Sequence, residues 1–151
     1  MKRAILMIAT LAACTTAEAA PTHYLPVFGS ALLCRDEIDP VYLKQYLTTH
    51  FKKPYKTEGG AYWFKPDSAT LFDMNVTELF VSTEDNERYA FVGAIFLDTT
   101  KGARAKIAAF SGPNYIPYPD DITMRSGPGG FLIRYTATQV KVYCMKERIA
   151  R

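Results

Sequence analysis

Chemistry at a protein site needs groups that titrate, attack or ligate, and this chain of 151 residues carries few of them in useful patterns. It has two histidines, His23 and His50. A nucleophile–histidine–carboxylate arrangement needs a placed imidazole, and only His50 falls in a patterned stretch. There it reads as a cation facing the last carbonyls of a helix. Asp120 and Asp121 form the obvious carboxylate pair. Sequence neighbours tend to point apart, so they make a poor shared-proton dyad; a turn cap is the plain reading, and calcium held with loop carbonyls is the functional alternative. Glycosidase chemistry needs two carboxylates facing each other across a cleft, and no spacing here indicates one. Gly127-Pro128-Gly129-Gly130 lacks the Gly-Lys-Ser/Thr ending of a phosphate loop and precedes a strand pattern, not a helix. We therefore assign no catalytic residue, no metal ligand and no cofactor.

The three cysteines carry more information. Met1-Lys2-Arg3 followed by the apolar run Ala4 to Ala13 has the form of an export signal, too short to span a bilayer. Ala17-Glu18-Ala19 offers a signal-peptidase site, which makes 1–19 the signal peptide. Leu11-Ala12-Ala13-Cys14 competes with it and resembles the lipobox of bacterial lipoproteins, which implies lipidation of Cys14 and a signal of 1–13. Both readings place the protein in a bacterial envelope, in the periplasm or anchored at the outer membrane. Cys34 and Cys144 remain, with no Cys-x-x-Cys, and an oxidising compartment favours pairing them in one structural disulfide. Closing so long a loop stabilises a fold by about 4 to 5 kcal/mol at most on the chain-entropy model.

Aromatic residues supply the binding candidates. In Tyr62-Trp63-Phe64 a strand must turn Trp63 away from its neighbours. Tyr115 and Tyr118 stand among prolines in the long stretch from Ser111 to Gly130, and long loops in small domains are often functional. Trp63, Tyr115 and Tyr118 are thus candidates for contact with a partner. The plainer alternative packs Trp63 under a helix and uses the tyrosines to pin their loop.

The elements that must position these residues form one domain over 34–146, preceded by a lead-in or tether over 20–33 and followed by a basic tail over 147–151. Asp39-Pro40 begins a helix that ends before Pro54. Gly59-Gly60 marks a turn, and strands are expected over 61–64, 69–72, 76–82 and 89–98, the last apolar on both sides and therefore central. Residues 101–110 fit a helix or a strand of small side chains, and their propensity favours the helix. The alternation over 131–145 changes parity, which requires a bulge or short turn near 137–139. The expected fold is α+β: one or two helices on a single antiparallel sheet of about four to six strands, with one disulfide.

Phe51-Lys52-Lys53-Pro54 leading through Gly59-Gly60 to Tyr62-Trp63-Phe64 is similar to the helix, turn and aromatic strand of small bacterial envelope domains. These include the assembly lipoprotein BamE and the β-lactamase inhibitory protein. The resemblance covers about a quarter of the chain and implies binding to another envelope or secreted protein. The formal charge of +3 is spread among acids except at Lys52-Lys53 and in the tail, so no nucleic-acid surface is expected. Membrane contact is expected only through a lipid at Cys14. The expected role is an inhibitor, immunity or assembly-type binding domain. The alternatives are an enzyme using carboxylates on envelope polymer and a structural lipoprotein.

Overall fold

The computed structural model describes residues 23–127 and 129–148, so the stretch expected as an export signal, Cys14 and most of the basic tail lie outside the described residues. Asp39 opens the main helix, α2 (Pro40–Phe51). It is extended, and its carboxylate accepts the N–H groups of Val41 at 2.9 Å and Tyr42 at 3.1 Å. Two donors that a helix start leaves open are thereby satisfied. Leu43, Tyr46, Leu47 and Phe51 bury one face of α2. Residues 101–110 are helical: Thr99 caps α3 (Thr100–Ala109) by accepting the Gly102 N–H at 3.1 Å, and Ala103 and Ile107 face the core.

The stretch expected as a tether is corrected by the structure. From Tyr24 it folds into a π-helical turn, Leu25–Gly29, that runs directly into one α-helical turn, α1 (Ser30–Leu32). Tyr24, Phe28, Ala31 and Leu32 are buried there. Pro26 is tolerated because an early helical position needs no N–H partner. The domain therefore begins upstream of Cys34.

The sheet is also larger than expected. It has nine antiparallel strands among the described residues, not four to six. They are β1 (Lys56–Glu58), β2 (Ala61–Phe64), β3 (Thr70–Leu71), β4 (Met74–Ser82), β5 (Tyr89–Leu97), β6 (Ile116–Pro117), β7 (Thr123–Ser126), β8 (Gly130–Arg134) and β9 (Gln139–Glu147). The order is β1-β2-β4-β5-β9-β8-β7-β6, and β3 pairs with β4 off this path. The additional strands come from two sources. The stretch between Pro54 and Gly59, given no element in the sequence reading, supplies β1, and the long loop over 111–130 supplies β6 and β7; all three are too short to show alternation. The stretch 131–145 is a hairpin, with its turn between Arg134 and Gln139 accounting for the parity change. Pro117 lies in β6 at an edge of the sheet, where a missing N–H breaks no ladder.

The helices all pack on one face. Leu79, Val81, Val92, Ala94, Phe96, Leu132, Val140 and Val142 share a buried cluster with residues of α1, α2 and α3. β5 is central, between β4 and β9, as its apolar sequence requires. Cys34 and Cys144 form a disulfide with a Cα–Cα distance of 5.4 Å, 110 residues apart in sequence, tying the start of the domain to its last strand. A second tie holds α2. Glu84 accepts hydrogen bonds from Lys44 Nζ at 2.9 Å and the Tyr62 hydroxyl at 2.6 Å, while the Lys44 ammonium sits 3.9 Å from the Tyr62 ring centre. Among the described residues no helix is long and apolar enough to cross a membrane.

Candidate binding site on the uncovered sheet face

Strands alternate their side chains, so the residues between those of the helix-covered core emerge on the other face. The strand register aligns one of them from each of eight strands. The line runs Lys56, Trp63, Phe80, Gly93, Tyr143, Phe131, Arg125, Ile116, crossing the sheet from β1 to β6. Trp63 and Phe80 have ring centres 4.7 Å apart, and Phe131 stacks on Tyr143 at 4.7 Å with 9° between planes. Cations lie along the same line. Lys56 Nζ is 4.6 Å from the Trp63 ring, and the Arg125 guanidinium is 4.2 Å from Tyr118 and 5.1 Å from Phe131.

Gly93 makes the row continuous. A Cβ at this position would lie 2.0 Å from the Phe80 Cζ, so only glycine lets the Phe80 ring lie across β5. Phe80 is 2% exposed although no helix among the described residues covers it, and neither it nor the fully buried Ile95 belongs to the core cluster. The outer face thus carries a thin apolar layer of its own, made by the aromatic row.

Beside the row, two residues from Tyr143 on β9, stands Lys141. Its Nζ lies 4.9 Å from the Phe80 ring, 5.6 Å from Tyr143 and 5.8 Å from Trp63. Burial pushes this ammonium below its ordinary value. Together with Glu58, Gly59, Ala61 and Phe91, these residues line a pocket of about 390 Å³, a size typical of small-ligand sites. The Trp63 indole N–H donates to the Glu58 carbonyl at 3.0 Å, which fixes the ring and leaves its face to the pocket. Glu58 pairs with Lys56 at 2.9 Å. Lys141 and Arg125 make no ion pair and no hydrogen bond through their side chains among the described residues. Chemically the arrangement can hold a flat or apolar group against rings and an anion against Lys141. It offers no pair of carboxylates, because Glu58 is the one carboxylate lining the pocket.

The residues singled out in the sequence separate. Trp63 lies in the row, and Tyr118 lies at its far end under Arg125, 45% exposed. Tyr115 is fully buried in the core cluster and pins its loop, so it is not available for surface contact. Burial pushes its phenol up to about 12, with the Ser126 hydroxyl beside it working the other way. Asp120 caps its own turn, accepting the Ile122 N–H at 3.2 Å, the Thr123 N–H at 2.8 Å and the Thr123 hydroxyl at 2.6 Å. His23 and His50, far apart in sequence, have ring centres 4.9 Å apart, with Tyr46 against both. Among the described residues no group of three or more His, Cys, Asp or Glu converges.

Sequence reasoning missed Phe80, Lys141, Tyr143, Phe131, Arg125 and Lys56. Two signals pointed to them: the glycine inside the strongest strand, and the odd-numbered polar or aromatic residues of β9. Neither identifies a row without the pairing of β5 with β9. No family model, curated protein or solved structure matches this chain.

Proposed function

We propose that this chain is an exported binding domain of the bacterial envelope, and that the uncovered sheet face is where another envelope or secreted protein docks. The observation that carries this reading is the single line that crosses all eight strands of the main sheet path and carries an aromatic or cationic residue on six of them. Aromatic residues and arginine are enriched in interface hot spots, because flat side chains bury much area at little entropic cost. A face made only to meet water has no need of a Phe80 ring laid over glycine. The export signal, the single disulfide and the inhibitor- or assembly-type resemblance support a binding role. Polymer-cleaving chemistry with two carboxylates finds no pair in the pocket.

The test places a photo-crosslinking amino acid at Phe131 or Tyr118 on the row, and at Tyr42 on the exposed side of α2 as control. The crosslinks are formed in the envelope of the source bacterium. One protein crosslinked from both row positions, not from Tyr42, and lost in Trp63→Ala is the expected result. Crosslinks equal from all three positions, or none from the row, would remove the proposal.

A further inference from the structure

The pocket beside Lys141 has a chemistry more specific than the face around it. We infer that it receives an acidic side chain of the docking protein, an aspartate or glutamate flanked by an apolar residue; this rests on the binding role proposed above. Three observations support it. Lys141 is held among the Trp63, Phe80 and Tyr143 rings and has no carboxylate partner among the described residues. The acid nearest the pocket, Glu58, is already paired with Lys56. Four of the eight lining residues are aromatic, so a charge pair formed among them is only partly solvated. A partly desolvated ammonium without a counter-charge is unfavourable, and an incoming carboxylate relieves it through a charge-assisted hydrogen bond. The rings meanwhile take the apolar neighbour of that carboxylate. Charge complementarity extends along the row, since Arg125 on it also lacks an acidic partner among the described residues.

The chain contains a single tryptophan, Trp63, and it forms one wall of the pocket. Its emission is therefore a reporter confined to this site. The experiment uses the full exported chain with its disulfide intact. The probes are acetyl-Leu-Glu-Phe-amide, acetyl-Leu-Gln-Phe-amide and inorganic phosphate, titrated with Trp63 fluorescence and calorimetry as readouts. The glutamate peptide should give a saturable change in emission, and the glutamine peptide should bind about tenfold more weakly or less well still. Lys141→Met, which keeps the length of the stem, should reduce the glutamate peptide to the level of the glutamine one. Lys141→Arg should restore part of the difference. Equal binding of the two peptides overturns the inference, as does unchanged binding by Lys141→Met in a variant whose circular dichroism is native. Phosphate that competes as well as the glutamate peptide makes the pocket a general anion site and also overturns it. So does the absence of any saturable change up to roughly 10 mM peptide, a concentration beyond that of useful recognition. Peptide binding that depends on Lys141, without a crosslinked protein on the row, would retain the pocket and remove the protein-docking role. A crosslinked partner indifferent to Lys141→Met would do the reverse.

Discussion

On the helix-covered face, β4, β5 and β9 present Leu79, Val81, Val92, Ala94, Val140 and Val142, and three helices close over them. On the opposite face the same three strands present Phe80, Gly93, Ile95, Lys141 and Tyr143, and no helix among the described residues closes over these. The backbone is shared and the period of two decides which residue goes where. The covered face uses mostly branched and small side chains, with Phe96 among them, that pack closely beneath helices, as an interior does. The uncovered face uses rings and long cations, which bury one another in a single layer and still tolerate water at their edges. Under the proposed function, the difference separates stability from recognition. Removing atoms from the first face costs packing. Removing them from the half-buried members of the second, such as Phe131, should cost less folding energy and should cost binding, whereas Phe80 and Ile95 are as buried as the core.

The largest effect expected on the covered face comes from the disulfide. Reducing Cys34–Cys144, or replacing both with alanine, should lower the unfolding free energy by about 4 to 5 kcal/mol at most, read from denaturant melts with and without reductant. A change under about 1 kcal/mol would mean that the bridge constrains little of the unfolded chain. Leu79→Ala, at a fully buried core position, should cost about 3 kcal/mol by the same melts. Phe131→Ala, at a partly buried position of the row, should cost about 1 kcal/mol yet abolish capture of the partner. Equal costs for the two would break the distinction between the faces.

Gly93→Ala sharpens the comparison, because its Cβ meets the Phe80 ring and not the core. We expect a loss of about 1 to 3 kcal/mol together with a changed Trp63 emission as Phe80 is displaced. A variant as stable as the parent, with native emission, would show that the row does not depend on the glycine. Acid should act on the side of α2. The Tyr62 hydroxyl and then Lys44 hold the Glu84 carboxyl down from 4.5 to about 2. Because the folded value lies below the unfolded one, its contribution is complete above about pH 4.5 and is lost as pH falls toward 2. Glu84→Gln should flatten that part of the stability–pH curve, and parallel curves for the two proteins would rule the network out. The smallest effect is expected from Lys141→Met, within about 0.5 kcal/mol in either direction, because an unpaired, partly buried cation contributes little to folding. A large loss in that variant would make Lys141 a structural residue.

Much of the covered face was legible in the sequence. Asp39-Pro40 announces α2, Cys34 and Cys144 announce their bridge, and the apolar run over 89–98 announces a central strand. Each of these is a local signal or a count. The short strands β1, β6 and β7 were not legible, because two to four residues carry no measurable period and their pairing comes from neighbours elsewhere in the chain. Of the candidate site, Trp63 and Tyr118 could be named from residue type. Tyr115 was named with them for the same reason, and its burial shows how little residue type says about direction.

The sequence by itself determined where α2 starts, which residues alternate along the longer strands and which cysteines pair. These follow from backbone sterics, capping and composition, all of which act over a few residues or none. Only the tertiary structure decided that Lys56, Trp63, Phe80, Tyr143, Phe131 and Arg125 stand in one line, and that Lys141 lies among three rings. That decision belongs to strand register. Register is set by which distant strands pair and by which face the helices cover, and a shift of one residue would send every one of these side chains into the core.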